Sequence, residues 1–267
     1  MSESIVDESS SRSTTRVPLV VVVGILAGFL SGLFGVGGGI LIVPGLVLVA
    51  HMDQRMAHGT SLAGVLPIAA SSMVTYWAHD HIDWAVVLFL AIGAVSGAVL
   101  GTKLLNVLPH RTLGMAFSLL LLASAARLFI SDSGTGRDDL DLIMALLLVV
   151  VGVVTGILAG LLGVGGGIIM VPAMMMIFGI PPVIAKGTSL GVIIPTSIMG
   201  TWRNRTKKNV DFRAAAIVGV AGVLAAIAGG TLSARMSDTL SNVLFATLLT
   251  VVAVRLLLQL RNESKKS

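Results

Sequence analysis

Two stretches of this chain stay apolar for longer than a membrane is thick, and both are interrupted by the same five residues, GVGGG. As straight helices at 1.5 Å per residue, residues 17–50 and 142–180 would each measure on the order of 50 Å, against about 30 Å of hydrocarbon. Each must therefore break or turn back. The break belongs at Gly35–Gly39 and Gly163–Gly167, where glycine lowers helix propensity and a proline (Pro44, Pro172) follows five residues after the last glycine.

The two clusters are one feature written twice. At an offset of 128 residues the chain aligns with itself without a gap from Gly24 to Ile130, and Gly32–Pro44 matches Gly160–Pro172 at ten of thirteen positions. Downstream, Gly59, Thr60 and Ser61 pair with Gly187, Thr188 and Ser189, Pro67 with Pro195, Asp83 with Asp211, and Arg127 with Arg255. This duplication predicts an all-α polytopic membrane protein of two homologous repeats, 17–130 and 140–260, joined by the polar linker 131–139. Each repeat reads as a glycine-broken leading helix or hairpin and three spans: 59–78, 84–104 and 112–130, then 187–202, 212–234 and 239–260. Residues 1–16 are serine-rich and polar and read as a disordered tail, and 261–267 as a basic one. Nothing in the first residues resembles a cleaved secretory signal, because acids lead and the apolar run is too long.

With 55% hydrophobic and 12% charged residues, the solvent for most of the chain is lipid. The absence of cysteine excludes disulfides and thiol chemistry. The 18 Lys+Arg against 13 Asp+Glu do not indicate nucleic acid, since they sit in short loops beside apolar spans. Their distribution discriminates between topologies instead. If each leading stretch crosses once, the basic residues outside the helices divide eleven to five; if each is a hairpin, they divide thirteen to three, with Arg137, Lys186 and Arg235 in the minority. The hairpin obeys the positive-inside rule better, inverts one repeat relative to the other, and leaves both termini cytoplasmic in a bacterial-type inner membrane.

Backbone that leaves helical geometry within a membrane survives only against protein or a water-filled cavity. Two breaks at matching positions point to a shared central site, and half-helix N-termini there favour an anion. The plainer reading of GVGGG is close helix packing. A nucleotide-binding loop lacks its GK[ST] ending. The candidate substrate-binding residues are Gly35, Gly37, Gly38, Gly39, Thr60 and Ser61 with their counterparts Gly163, Gly165, Gly166, Gly167, Thr188 and Ser189, the hydroxyls serving as oxyanion donors or else as helix caps.

The doubled GLxGVGGGxxxVP with its following GTS resembles the sulfite exporter TauE/SafE family of membrane permeases, over nearly the whole chain after residue 16. The resemblance implies transport of a small sulfur-containing anion such as sulfite or an organosulfonate, with protons as a possible coupling ion; the paired breaks in inverted repeats point to alternating access, and no cofactor is expected. A passive anion channel is the nearest alternative. Oligomeric state is not legible.

Other polar residues have plainer readings. His58 and Lys186 precede the GTS triplets and read as interfacial side chains reaching water, or as anion attractors. Asp83 and Asp211 read as N-caps. Arg127 and Arg255 are close enough to a helix end to snorkel. His79 and His81 lie in a solvated loop. GTSLG around Ser189 matches a serine-nucleophile pattern, but all five histidines fall in the first half and no Ser–His pair is indicated, so the chain is not read as an enzyme.

Overall fold

The computed structural model describes residues 3–104 and 141–264 except Val164, with scattered positions between 105 and 140. The expected span 112–130, the linker 131–139 and Arg127 fall largely or wholly outside the described residues. Those described form helices α1 (Glu3–Phe34), α2 (Gly39–Val49), α3 (Gln54–Trp77), α4 (Trp84–Leu104), α5 (Leu142–Leu162), α6 (Gly167–Phe178), α7 (Pro182–Thr206), α8 (Phe212–Arg235) and α9 (Asp238–Ser264). Five of these contain segments long and apolar enough to cross a membrane: Val17–Phe34, Trp84–Gly101, Leu142–Leu161, Pro182–Thr206 and Phe212–Arg235.

Both leading stretches break at GVGGG. α1 stops at Phe34 and α2 starts at Gly39; α5 stops at Leu162 and α6 starts at Gly167. The second piece is short, 11 residues in α2 and 12 in α6, or about 16–18 Å, half the hydrocarbon thickness. α2 turns back along α1, because Gly38 lies against Ala27 and Gly45 against Val23. Gly166 faces Thr155 at the same offset in the second repeat.

Three boundaries differ from the sequence reading. α1 extends outward to Glu3, where a disordered tail was expected; a nucleated helix lengthens at small cost per residue. α3 and α7 start five residues earlier than the GTS-based limits. Asp53 caps α3 by accepting from the Arg55 N–H at 3.0 Å, and Pro182 occupies the first turn of α7, where its missing N–H costs nothing. Thr60, Ser61, Thr188 and Ser189 therefore sit inside helices instead of capping them.

The repeats are interleaved. α1 packs parallel to α8, with Gly24, Gly28 and Gly32 against Val218, Gly222 and Ala226. α5 packs parallel to α4 in the same way, with Gly152, Gly156 and Gly160 against Leu90, Ala94 and Ala98. Small residues let the backbones approach, the usual basis of helix association where lipid offers no hydrophobic driving force. The equivalent helices α3 and α7 run antiparallel, since Leu62 lies beside Gly200 and Tyr76 beside Gly187. The bundle is thus two parallel groups, α1–α3–α8 and α4–α5–α7, of opposite direction.

Large apolar side chains face outward, among them Leu142, Leu146 and Val150 of α5 and Val220 and Leu224 of α8, while Thr60, Ser61, Lys186, Thr188, Ser189 and Ser197 are buried. An apolar exterior around a partly polar interior is what a lipid solvent selects.

Candidate functional site

The site forms where the two glycine loops meet at mid-height of α3 and α7. A methyl added at Gly167 would stand 2.8 Å from the Gly35 carbonyl oxygen and 2.9 Å from Val36 Cα, so the loops are in direct contact across the repeat boundary. Val65 of α3 and Ile193 of α7, equivalent under the 128-residue offset, close over both loops next to Gly37 and Gly165. The backbone is left-handed at Gly35, Gly37 and Gly38 (φ 68°, 78° and 75°) and at Gly163, Gly165 and Gly166 (φ 66°, 78° and 83°). Side chains with a Cβ rarely take this conformation. Space is restricted as well: Cβ atoms at Gly35 and Gly163 would fall 2.6 Å from Lys186 Cα and 2.8 Å from His58 Cα.

α2 and α6 begin at this crossing, so their first-turn N–H groups and the positive ends of their dipoles lie at its edge. Gly38 and Gly166 are the N-caps and offer no side-chain oxygen, so nothing of their own covers those N–H groups.

The hydroxyls expected to share one role divide into two. Thr60 Oγ1 accepts the Asp211 N–H at 2.9 Å, and Thr188 Oγ1 accepts the Asp83 N–H at 3.0 Å. Each threonine thus holds the start of a helix in the other repeat, where Asp211 Oδ1 accepts from Arg213 N and Ala214 N and Asp83 Oδ1 from Ala85 N and Val86 N. Both aspartates are the expected N-caps, and both threonines join the repeats by accepting the N–H groups of those caps.

Ser189 and Ser197 of α7 face the loops. Ser189 Oγ lies 2.5 Å from the Gly35 carbonyl oxygen and 2.7 Å from that of Lys186, locking α7 to the first loop. Ser61, its counterpart, is wholly buried with no hydrogen-bond partner among the described residues. Ser197, two turns beyond Ser189 on the same face of α7, is likewise buried and unpartnered, with Oγ beside Gly165. A buried hydroxyl left unsatisfied costs free energy, which makes Ser197 beside the Gly165 loop a candidate donor. Sequence comparison missed Ser197 because Ala69 occupies its place in the first repeat. Its spacing of eight from Ser189 was the available signal. Val65 and Ile193 were missed because apolar residues in an apolar helix carry no mark of their own.

Lys186 corrects the interfacial reading. It is 1% exposed, and its Nζ donates to Ser241 and, at 3.4 Å, to Ser233. Ser189, committed to two carbonyl oxygens, is not arranged as a nucleophile beside a base.

Comparison with known proteins agrees with this geometry. The model of a family described as sulfite exporter TauE/SafE matches residues 4–128 and 147–267, one match in each repeat. The chain belongs to the TauE/SafE family. A probable membrane transporter protein of Bacillus subtilis (YunE) is 29% identical over 260 residues, covering 88% of this chain and 94% of that protein. A probable membrane transporter protein of Methanocaldococcus jannaschii is 32% identical over 193 residues, covering 69% and 70%. One from Xylella fastidiosa (strain 9a5c) is 28% identical over 245 residues, covering 88% and 94%. The TauE/SafE chain is accordingly a membrane transporter by family.

Proposed function

We propose that this protein carries a small oxyanion of sulfur, sulfite or an organosulfonate, across the membrane by alternating access around the glycine crossing. The observation that carries the reading is the convergence of two half-helix N-termini and the Ser197 hydroxyl, which has no hydrogen-bond partner among the described residues, at loops that keep side chains out. N–H and O–H donors stabilise an anion without the burial of a fixed charge, and a multi-oxygen anion can accept from several at once. The sulfur chemistry comes from the family description.

The antiparallel course of α3 and α7 supports inverted repeats, and the loop charge supports cytoplasmic termini in a bacterial-type inner membrane. An inverted pair gives the site two related half-bundles that exchange roles between inward- and outward-open forms. A pH gradient would drive the cycle if protons are the coupling ion.

The test is flux into proteoliposomes for sulfite, thiosulfate, sulfoacetate, sulfate and acetate, with and without a pH gradient. Saturable uptake of a sulfur anion that Gly38→Leu and Gly166→Leu abolish is the expected result. Flux that stays linear in concentration would replace the carrier with a channel, and absence of flux for every anion would remove the small-anion reading.

A further inference from the structure

The corner that joins α7 to α8 has the same backbone as the corner that joins α3 to α4 at the other end of the bundle, built from different residues. Under the 128-residue offset, Arg205–Arg213 corresponds to Trp77–Ala85. In one corner the Asn209 N–H donates to the Asn204 carbonyl oxygen at 3.0 Å, and the Lys208 N–H to that of Arg205 at 3.0 Å. In the other, the His81 N–H donates to the Tyr76 carbonyl oxygen at 2.9 Å, and the Asp80 N–H to that of Trp77 at 3.0 Å. Lys208 and Asp80 share a left-handed backbone, with φ 57° and 55°. Each corner docks on a helix of the opposite repeat, the Asn209 carbonyl oxygen against Gly59 of α3 and that of His81 against Gly187 of α7.

Only the charge differs. Arg205–Arg213 carries four Lys or Arg against one Asp, with Arg203 just before it, whereas Trp77–Ala85 carries no Lys or Arg against two Asp. Because both sequences hold the same turn, the fold does not ask for the basic side chains. Arg205, Lys207, Lys208 and Arg213 are exposed and Arg203 is half-buried. One carboxylate is too little to neutralise them, and Asp211 Oδ1 is engaged in capping α8. Two exposed aromatic side chains flank the turn, Trp202 at 65% and Phe212 at 51%. Aromatic residues on the outside of membrane helices settle at headgroup level, so long basic side chains between them reach the lipid phosphates. The length of α7 agrees: 25 residues span about 37 Å, which carries its last turn beyond about 30 Å of hydrocarbon.

We propose that Arg203, Arg205, Lys207, Lys208 and Arg213 form a binding surface for the headgroups of anionic phospholipids. Guanidinium and ammonium groups donate to phosphate oxygens, and a lipid of net negative charge is favoured over a zwitterionic one, whose own cation is repelled. The hydrogen-bonded turn holds the basic residues in place before any lipid arrives. The surface is independent of which substrate is carried. A headgroup held here bears on the joint between the repeats, because the Asp211 N–H at the end of the turn donates to Thr60 Oγ1 of α3 at 2.9 Å. On the topology proposed above, it faces the cytoplasmic leaflet.

The experiment uses full-length protein in phosphatidylcholine vesicles containing about 10 mol% of brominated phosphatidylglycerol or of brominated phosphatidylcholine, with quenching of tryptophan fluorescence as the readout. The chain has three tryptophans. Trp77→Phe with Trp84→Phe leaves Trp202 to report on the basic corner, and Trp77→Phe with Trp202→Phe leaves Trp84 to report on its counterpart. At Trp202, phosphatidylglycerol is expected to associate at least about threefold more strongly than phosphatidylcholine. The preference should fall to within about 1.5-fold in about 0.5 M salt, and equally when Arg205→Gln, Lys207→Gln and Lys208→Gln are combined. At Trp84 the two lipids are expected to quench alike. Equal quenching at Trp202 overturns the surface and leaves its charges as an orientation signal alone. The same preference at both tryptophans also overturns it, because the net charge of the protein would then be the cause. Where the glutamine variant does not fold, the salt series decides: a preference that salt leaves unchanged overturns the proposal.

Discussion

Replacing Gly35 by alanine tests whether the glycine loops are held by backbone conformation and by contact between repeats. The left-handed φ of 68° costs an alanine roughly 1–2 kcal/mol. Its methyl would stand 2.6 Å from both Lys186 Cα and the Lys186 carbonyl oxygen, close to 1 Å short of ordinary contact and against backbone that cannot rotate away. Relieving such overpacking typically costs a further 1–3 kcal/mol. The expected total is about 2–5 kcal/mol, which for a chain of this size lowers Tm by roughly 5–20 °C. Gly37→Ala separates the two terms: φ is 78°, but its nearest neighbours at 3.1–3.3 Å are side-chain methyls of Ile193 and Val65 that can move, so only about 1–2 kcal/mol should be lost. Gly64→Ala is the control. It sits inside α3 with its closest neighbour, the Ala215 carbonyl oxygen, at 3.3 Å, and gains up to about 1 kcal/mol in helix propensity. Thermal unfolding in detergent, followed by tryptophan fluorescence, should rank Tm as Gly64→Ala, then Gly37→Ala, then Gly35→Ala. A Gly35→Ala protein as stable as Gly64→Ala would refute the account of the loop.

Ser61 and Ser189 occupy equivalent positions but should respond in opposite ways. Ser189→Ala removes both contacts to carbonyl oxygens and is expected to destabilise by about 1–3 kcal/mol, whereas Ser61→Ala relieves an unpaired hydroxyl, leaving stability equal or higher while lowering flux; equal Tm shifts for the pair would contradict the asymmetry. Orientation is accessible because the native chain has no cysteine: with Arg55→Cys, Lys207→Cys and His79→Cys, an impermeant thiol reagent applied to intact cells should label only the last, and labelling at position 55 would reverse the proposed topology.

The features legible in the sequence are the local and repeated ones. Apolar run length against bilayer thickness required a break in each leading stretch, and glycine propensity placed it between Phe34 and Gly39 and between Leu162 and Gly167, where it is found. Asp83 and Asp211 were readable as caps because a cap depends on the next three residues. The tertiary structure decided the rest. That α1 packs on α8 and α5 on α4 could not be read from periodicity, because helices in lipid are apolar on every side and partner choice follows from where small residues allow close approach. That exchange carries Thr60 to Asp211 and Thr188 to Asp83, where each hydroxyl accepts the N–H that opens a helix of the other repeat. It leaves Ser61 without a partner among the described residues while Ser189 is bonded, and it buries Lys186 beneath Ser233 and Ser241. A duplicated sequence assigns equal roles to equivalent residues, but hydrogen bonds depend on positions to within tenths of an ångström. Those positions are set by packing between residues far apart in the chain.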